Sequence, residues 1–420
     1  MVRASALYIV IVIALVIGII CSSLVVVAYF YREQYQRAFR YDALQNNLNS
    51  GINILIASQD NAYAEGKKVS LFGGEADSVD LKTVVWGIYG IGVVRAFIQH
   101  DTLSRAFSMA HAIDSAKWAA LYLPDEDRPV SVSGKTTLKG NAFLPQSGIR
   151  EAYVDGKAYQ GDKRLVIGKT YSSQRSLPPL NPVRISELEK YFALAASPNS
   201  KSLLLDSISH SFLETPKTVP MGKNVVSLTG TRLKGNIILS SDTTVIVGSD
   251  AQLDQVLIFA PNIKVEEGFK GNCQLFARDS ISVGPDCVFS YPSTLGVLRF
   301  KLNAAAMPAA INIGENVSFS GCIFAYDKSA ERSKQPSINL GKKVSVSGQI
   351  YTTGLLGIND DVVINGSVFT GRFIYRSGFT VFENYVINTT INAEALSPYY
   401  LSGDIIPVAA RKKKVLQWLE

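Results

Sequence analysis

The stretch INIGENVSFSGCIF (311–324) is followed, at 338–351, by INLGKKVSVSGQIY. The two match nearly position for position: Ile311 with Ile338, Gly314 with Gly341, Val317 with Val344, Gly321 with Gly348. In each, apolar and polar residues alternate, which is the period of a strand. Outward from this pair the interval becomes regular. Val247 to Val265, Val265 to Val283, and Leu340 to Ile358 are each 18 residues. Inside it apolar positions return every six, at Val247, Leu253, Phe259 and Val265, each with an apolar or small partner two residues before, at Val245, Ala251, Leu257 and Ile263. Alternation with a recurrence of six means three short strands per turn. The expectation is a mainly β chain whose C-terminal half is a three-sided parallel β-helix of about 18 residues per coil.

Glycines punctuate this repeat. Gly248, Gly268, Gly284, Gly314 and Gly341 recur near one corner, with Asn359 in the last coil. Glycine and asparagine accept the left-handed backbone that such a corner is expected to need. The spacing breaks twice: Val283 to Ile313 is 30 residues and Ile313 to Leu340 is 27, leaving 12 and 9 beyond the regular 18. By the six-residue count both insertions emerge on the same side of adjacent coils. They carry Arg299, Lys301, Lys328, Glu331, Arg332 and Lys334. A loop platform on a rigid stack is where binding sites are built, so Arg299, Lys301, Lys328 and Arg332 are candidate binding residues. GKTTLKGNA (134–142) resembles GTRLKGNI (230–237), which places the β-helix at 129–376. Residues 177–222, with Pro178, Pro179, Pro182 and a helical segment from Ile185 to Ala196, read as an excursion. Residues 377–420 read as a C-terminal cap and basic tail, covering what is otherwise an open sheet edge.

The first sixty residues follow another pattern. No charge lies between Arg3 and Arg32, and Ala6 to Phe30 is almost continuously aliphatic. A helix of that length rises about 37 Å, enough to cross a hydrocarbon core of about 30 Å. A cleavable signal has an apolar core of only about 7–15 residues. Tyr29-Phe30-Tyr31 follows as an interfacial aromatic belt does. Residues 1–5 are therefore a short basic leader and 6–30 a transmembrane helix. Tyr31, Tyr35, Phe39, Leu44, Leu48, Ile52 and Leu55 then recur mostly every four residues, predicting an amphipathic extension over 31–58. Residues 59–128 change to period two: Lys68–Phe72, Val79–Tyr89 and Val93–Gln99 read as strands, with turns at Gly73-Gly74, Gly90 and His100-Asp101. The short connections predict a small antiparallel β head, closed by the polar turn PDEDRP (124–129).

This layout, with MVRA (1–4) followed by SALYI (5–9), resembles type IV pilins and pseudopilins over roughly residues 1–125. The glutamate that this family carries five residues into the mature helix is Ile9 here, counting from Ser5. The resemblance implies a minor, assembly-type subunit whose helix packs beside others through Ala6, Leu7, Ile9, Tyr31, Tyr35, Phe39 and Leu48. The short three-sided coils resemble bactofilins, which implies a polymerising scaffold.

Composition excludes several other classes. Hydrophobic residues at 47% against 18% charged rule out wholesale disorder. The net charge of +7 is spread along the chain, and its densest run, Arg411 to Lys414, reads as a solvated tail, so no nucleic-acid partner is expected. Cys273, Cys287 and Cys322 fall in the repeat and are expected to face its core as small apolar residues; Cys21 lies in the apolar helix. His100, His111 and His210 share no ligand spacing, and neither a metal nor a cofactor is expected. SGKT (133–136) has Pro129 where a phosphate-binding loop needs glycine. Of Asp250, Asp254, Asp286, Asp360 and Asp361, the acidic candidates for a groove, most sit at turn positions that aspartate favours. Hexapeptide acyltransferases share the six-residue period, but their catalytic histidine lies in the coils, and none follows His210.

The sequence thus predicts a bacterial cell-envelope protein, structural and not enzymatic, crossing the cytoplasmic (inner) membrane once with its C-terminal domain exported to the periplasm or cell surface. Its expected partners are the membrane and other pilin-like or envelope subunits. Two other readings remain: a bactofilin-like polymerising scaffold, and a surface carbohydrate-binding or carbohydrate-cleaving β-helix that takes a glycan at Arg299 and Lys301.

Overall fold

A computed structural model describes residues 2–58, 62–71, 77–114, 118–193, 207–222, 224–300, 307–328, 334–406 and 412–419. The chain is mainly β, 51% strand against 18% helix, with one long apolar N-terminal helix. It divides into two compact units: residues 1–83 with 92–105, and residues 84–91 with 106–420.

The first unit is built on α1 (Val2–Ala57), which no proline interrupts. Residues 6–32 are exposed all round, and the span is long and apolar enough to cross a membrane. From Leu44 onward a narrow seam of Leu44, Leu48, Ile52 and Leu55 is buried. The four strands that follow are β1 (Lys67–Ser70), β2 (Asp77–Trp86), β3 (Tyr89–Ile98) and β4 (Asp101–Ala112). β1 runs antiparallel to β2, with Lys67 opposite Leu81 and Ser70 opposite Ser78. Within this unit Val79, Leu81, Val94, Ala96 and Ile98 are buried too. The helix meets these strands closely at Gly51, where a Cβ would lie 2.6 Å from Val94 Cγ1 and 3.0 Å from Leu81 Cδ2. Gly51→Ala is therefore expected to destabilise the unit despite alanine's better helix propensity. The propensity gain is about 1 kcal/mol, whereas overpacking a tight contact costs about 1–3 kcal/mol. Faster amide hydrogen exchange in residues 77–83 is the expected readout. Slower exchange there would show that the seam yields without cost.

The expected turn at Gly90 is corrected: Gly90 lies inside β3, and the chain turns at Gly87, whose φ of +59° is left-handed. Gly73-Gly74 lies outside the described residues.

In the second unit parallel strands join in one closed sheet. The register carries the sequence repeat. Val245 neighbours Ile263, and Ile263 neighbours Ile281, each 18 residues on. Ile281 then neighbours Ile311 and Ile311 neighbours Ile338, across the two insertions. The matched segments lie side by side, with Phe319 on Val346, Gly321 on Gly348 and Phe324 on Tyr351. Arg299 pairs with Asp327, so both insertions leave from neighbouring strand ends, as the count predicted. One apolar cluster fills the interior and takes in Cys273 and Cys287; Cys322 is buried as well.

The reason given for the corner glycines needs correction. Of Gly248, Gly268, Gly284, Gly314 and Gly341, only Gly268 has left-handed backbone, with φ +78°. In the turns of Gly284, Gly314, Gly341 and Asn359 the left-handed residue stands two places later, at Asp286, Asn316, Lys343 and Asp361. Gly314 and Gly341 are required by proximity instead. A Cβ on Gly341 would lie 2.6 Å from the carbonyl carbon of Gly314, and one on Gly314 would lie 2.8 Å from that of Gly284.

Sheet order also departs from chain order. After Val362–Ser377 come Ala119–Tyr122, Asn141–Leu144 and Thr170–Ser172. Thr389–Asn392 likewise pairs with Thr137–Lys139. Residues 119–172 therefore extend the sheet beyond its C-terminal strands, while Ser207–His210 and Lys217–Pro220 open its other end. The expectation of one run from 129 to 376 is revised accordingly, and the excursion ends before 207. It does contain a helix, α2 (Pro182–Ala193). Residues 377–420 are more than a cap. Leu401–Ser402 and Lys413–Leu419 pair antiparallel with residues 106–112 of β4. Lys413 and Lys414 are thus strand residues and not a free tail, because Lys413–Leu419 pairs with β4 and ends on the buried Leu419. Arg411 lies outside the described residues.

Candidate functional site

The helix residues expected to meet partners divide into two groups. Ala6, Leu7, Ile9, Tyr31, Tyr35 and Phe39 are exposed, the last three at 74%, 68% and 66%. Leu48 is fully buried and offers nothing to a neighbour. The outward stripe therefore ends near Tyr41, where the buried seam begins. An i,i+4 pair, Glu33 with Arg37 at 2.6 Å, lies beside it.

The expected loop platform is rearranged. Arg299 is only 8% exposed. Its guanidinium donates to Asp279 at 2.9 Å and lies 3.6 Å from Asp327, clamping neighbouring strands at the root of the insertions. That geometry makes Arg299 a structural cation. Lys301, Glu331 and Arg332 lie outside the described residues. Lys328 is exposed, its backbone N–H donating to the Arg299 carbonyl at 3.1 Å, and it lines a groove of about 700 Å³.

That groove is lined by two parts of the chain. One side is formed by the segment Leu177–Pro182 and the first turns of α2, through Ile185, Ser186 and Glu189. The sheet supplies Tyr326, Tyr351, Thr353, Gly371 and Arg372. Behind it runs an aromatic column that sequence reading missed. Phe259, Phe276, Gly296, Phe324, Tyr351, Phe369, Tyr122, Phe143 and Tyr171 occupy one register position in successive strands. Phe259 stacks on Phe276 at 4.9 Å, and Phe143 on Tyr171 at 5.0 Å. Gly296 is the one small member, and the Phe276 and Phe324 rings close over it: a Cβ there would lie 2.5 Å from Phe324 Cζ and 2.9 Å from Phe276 Cδ1. α2 covers the Phe259 end with Tyr191, stacked at 5.1 Å, and Phe192, edge-on at 5.2 Å. The signal was present in the sequence, since aromatics recur with the repeat, but it was absorbed into the general apolar count.

Electrostatics in the groove are mixed. Arg372 donates to Glu126 at 2.5 Å and lies 3.7 Å from Glu383. Burial pushes the Tyr326 and Tyr351 hydroxyls up, so both stay protonated at neutral pH. Tyr351 donates to the Pro178 carbonyl at 3.0 Å. The Thr353 hydroxyl is buried with no hydrogen-bond partner.

α2 is held by a second polar cluster. Arg184 donates to Asp404 at 2.9 Å and to the Tyr89 carbonyl at 3.2 Å. Asn181 donates to Asp404 at 3.1 Å, and His111 Nε2 is 3.4 Å from the same carboxylate. Burial pushes Asp404 up, but His111 and Arg184 outweigh it and hold the carboxyl down to about 2. No group of three His, Cys, Asp or Glu is placed to hold a metal ion among the described residues. No family model matches the chain, and no curated protein or solved structure matches it.

Proposed function

We propose that this chain is a membrane-anchored, pilin-like assembly subunit that presents a three-sided parallel β-helix outside the cytoplasmic membrane. The observation that carries the reading is α1: one unbroken helix, exposed and apolar over residues 6–31, then packed by a narrow seam on antiparallel strands. Apolar surface left in water costs roughly 25 cal/mol per Å², so lipid or neighbouring helices must cover the first half. A helix of 56 residues spans about 84 Å, well beyond a bilayer core of about 30 Å. Tyr31, Tyr35 and Phe39 then project from the portion between bilayer and seam, where a neighbouring helix would lie.

The three-sided reading rests on pairing. The single stretch Gln252–Val265 receives three successive strands: Arg232–Gly235 at Leu253, Ile237–Ser240 at Ile258, and Val245–Val247 at Ile263. Three strands within one 18-residue turn is the pattern of a three-sided coil. Export is supported by the fold class the repeat belongs to and by the helix that anchors it.

Photo-crosslinking in native membranes tests the assembly reading. Benzoylphenylalanine at Tyr35 or Phe39 is expected to capture another copy or another helical subunit, whereas the same probe at Leu48 yields only intrachain products. Crosslinks to lipid alone from all three positions would overturn it.

A further inference from the structure

The groove beside α2 holds three features that the fold does not need. Tyr326 is half-buried and has no ring partner among the described residues, while Tyr351 in the same groove belongs to a continuous stack. The Thr353 hydroxyl is buried and unpaired, a cost that native proteins rarely leave standing. Arg175 and Lys328 bring positive charge to the groove without an ion pair among the described residues; of the two carboxylates in its lining, Glu126 is already engaged by Arg372 and Glu189 lies exposed on α2.

From these we infer that the groove binds an acidic oligosaccharide. A single ligand that meets all three features needs a flat apolar face for Tyr326, a hydroxyl within reach of Thr353, and an anionic group for Arg175 and Lys328. A uronic-acid pyranose carries all of these on one ring: a C–H face that packs on an aromatic, secondary hydroxyls, and a carboxylate that accepts charge-assisted hydrogen bonds. An extended peptide fits less well. The sheet strands that line the groove already have both neighbours, so no free strand edge is offered to a peptide backbone. The volume, about 700 Å³, lies inside the range of small-ligand pockets and admits a segment of two or three sugar rings. Arg299, the residue first expected to hold a glycan, takes no part, because its guanidinium is committed to Asp279 and Asp327. The inference stands independently of the assembly reading.

Titration calorimetry on the detergent-solubilised full chain tests it with three probes: trigalacturonate, maltotriose of the same length without charge, and triglutamate of similar charge without rings. Trigalacturonate is expected to bind at least about tenfold more tightly than either control. Tyr326→Ala should weaken it by about tenfold and Tyr326→Phe by less than about twofold, since only the ring face is used. The double variant Arg175→Ala/Lys328→Ala should erase the preference over maltotriose. Equal binding of triglutamate would reduce the site to non-specific charge and overturn the inference. So would unchanged affinity in Tyr326→Ala with native circular dichroism, or no trigalacturonate binding at millimolar concentration.

Discussion

Gly348→Val is expected to unfold the second unit. Gly321, Gly348 and Gly366 stand on neighbouring strands in one register position, with φ of +144°, +148° and +152°. Each lets the backbone of the previous strand into the space its own side chain would fill. A Cβ on Gly348 would lie 1.9 Å from the Gly321 carbonyl oxygen, and one on Gly366 would lie 1.8 Å from that of Gly348. The obstructing atom is backbone in a parallel ladder, so it cannot move without breaking the pairing on both sides. Positive φ and overpacking act together, and the sum is about 4 kcal/mol or more, against a typical total of about 5–15 kcal/mol. Gly222→Ala is the control: its φ is +73°, yet nothing lies within 4 Å of the added carbon. It should cost only about 1 kcal/mol. Urea unfolding followed by tryptophan fluorescence reads both, because Trp86, Trp118 and Trp418 all belong to the second unit. If the two variants unfolded at the same midpoint, proximity would not be what selects glycine in this ladder.

What the sequence shows of this fold follows from what periodicity can encode. The pairing of Ile311 with Ile338 was legible because strands that meet the same core with the same spacing carry the same alternation. The burial of Cys273 and Cys287 was legible for that reason too. Stacking order was not. GKTTLKGNA resembles GTRLKGNI, and the likeness is real locally: Gly140 and Gly235 both have positive φ, as do Gly134 and Gly230. Yet 134–142 pairs beyond Thr389–Asn392 and not ahead of Ser207–His210, since a turn's own pattern does not say which neighbour it meets. The loop site failed on different grounds. The spacing counts Arg299 into the first insertion, whereas it ends a strand, and Asp279 and Asp327 on neighbouring strands make it burial-competent. The groove that replaces it is assembled from residues 124–189 and 300–372, and no local motif announces such a meeting.

Asp404→Ala is expected to destabilise the second unit strongly. It leaves the Arg184 side chain, only 9% exposed, without its carboxylate, and stranding one member of a buried pair costs about 3–5 kcal/mol. The same residue makes stability acid-sensitive. Because its folded carboxyl is held from the ordinary 3.8 down to about 2, the folded state binds this proton more weakly than the unfolded chain. The contribution, roughly 2 kcal/mol, is complete above pH about 4, declines as pH falls, and is gone below about 2. Asp404→Asn, which keeps the shape and removes the titration, should flatten that part of a urea-midpoint curve recorded between neutral pH and pH 2. Arg184→Met should soften the penalty of Asp404→Ala, since removing both partners leaves no buried unpaired charge, and a double-mutant cycle measures the coupling. An unchanged acid slope in Asp404→Asn would place the acid sensitivity elsewhere. Strict additivity in the cycle would mean that the pair does not pin α2. If the predicted coupling is found, α2 is fixed to the sheet by a charge pair as well as by Tyr191 and Phe192, and the groove it borders is pre-formed before any ligand arrives.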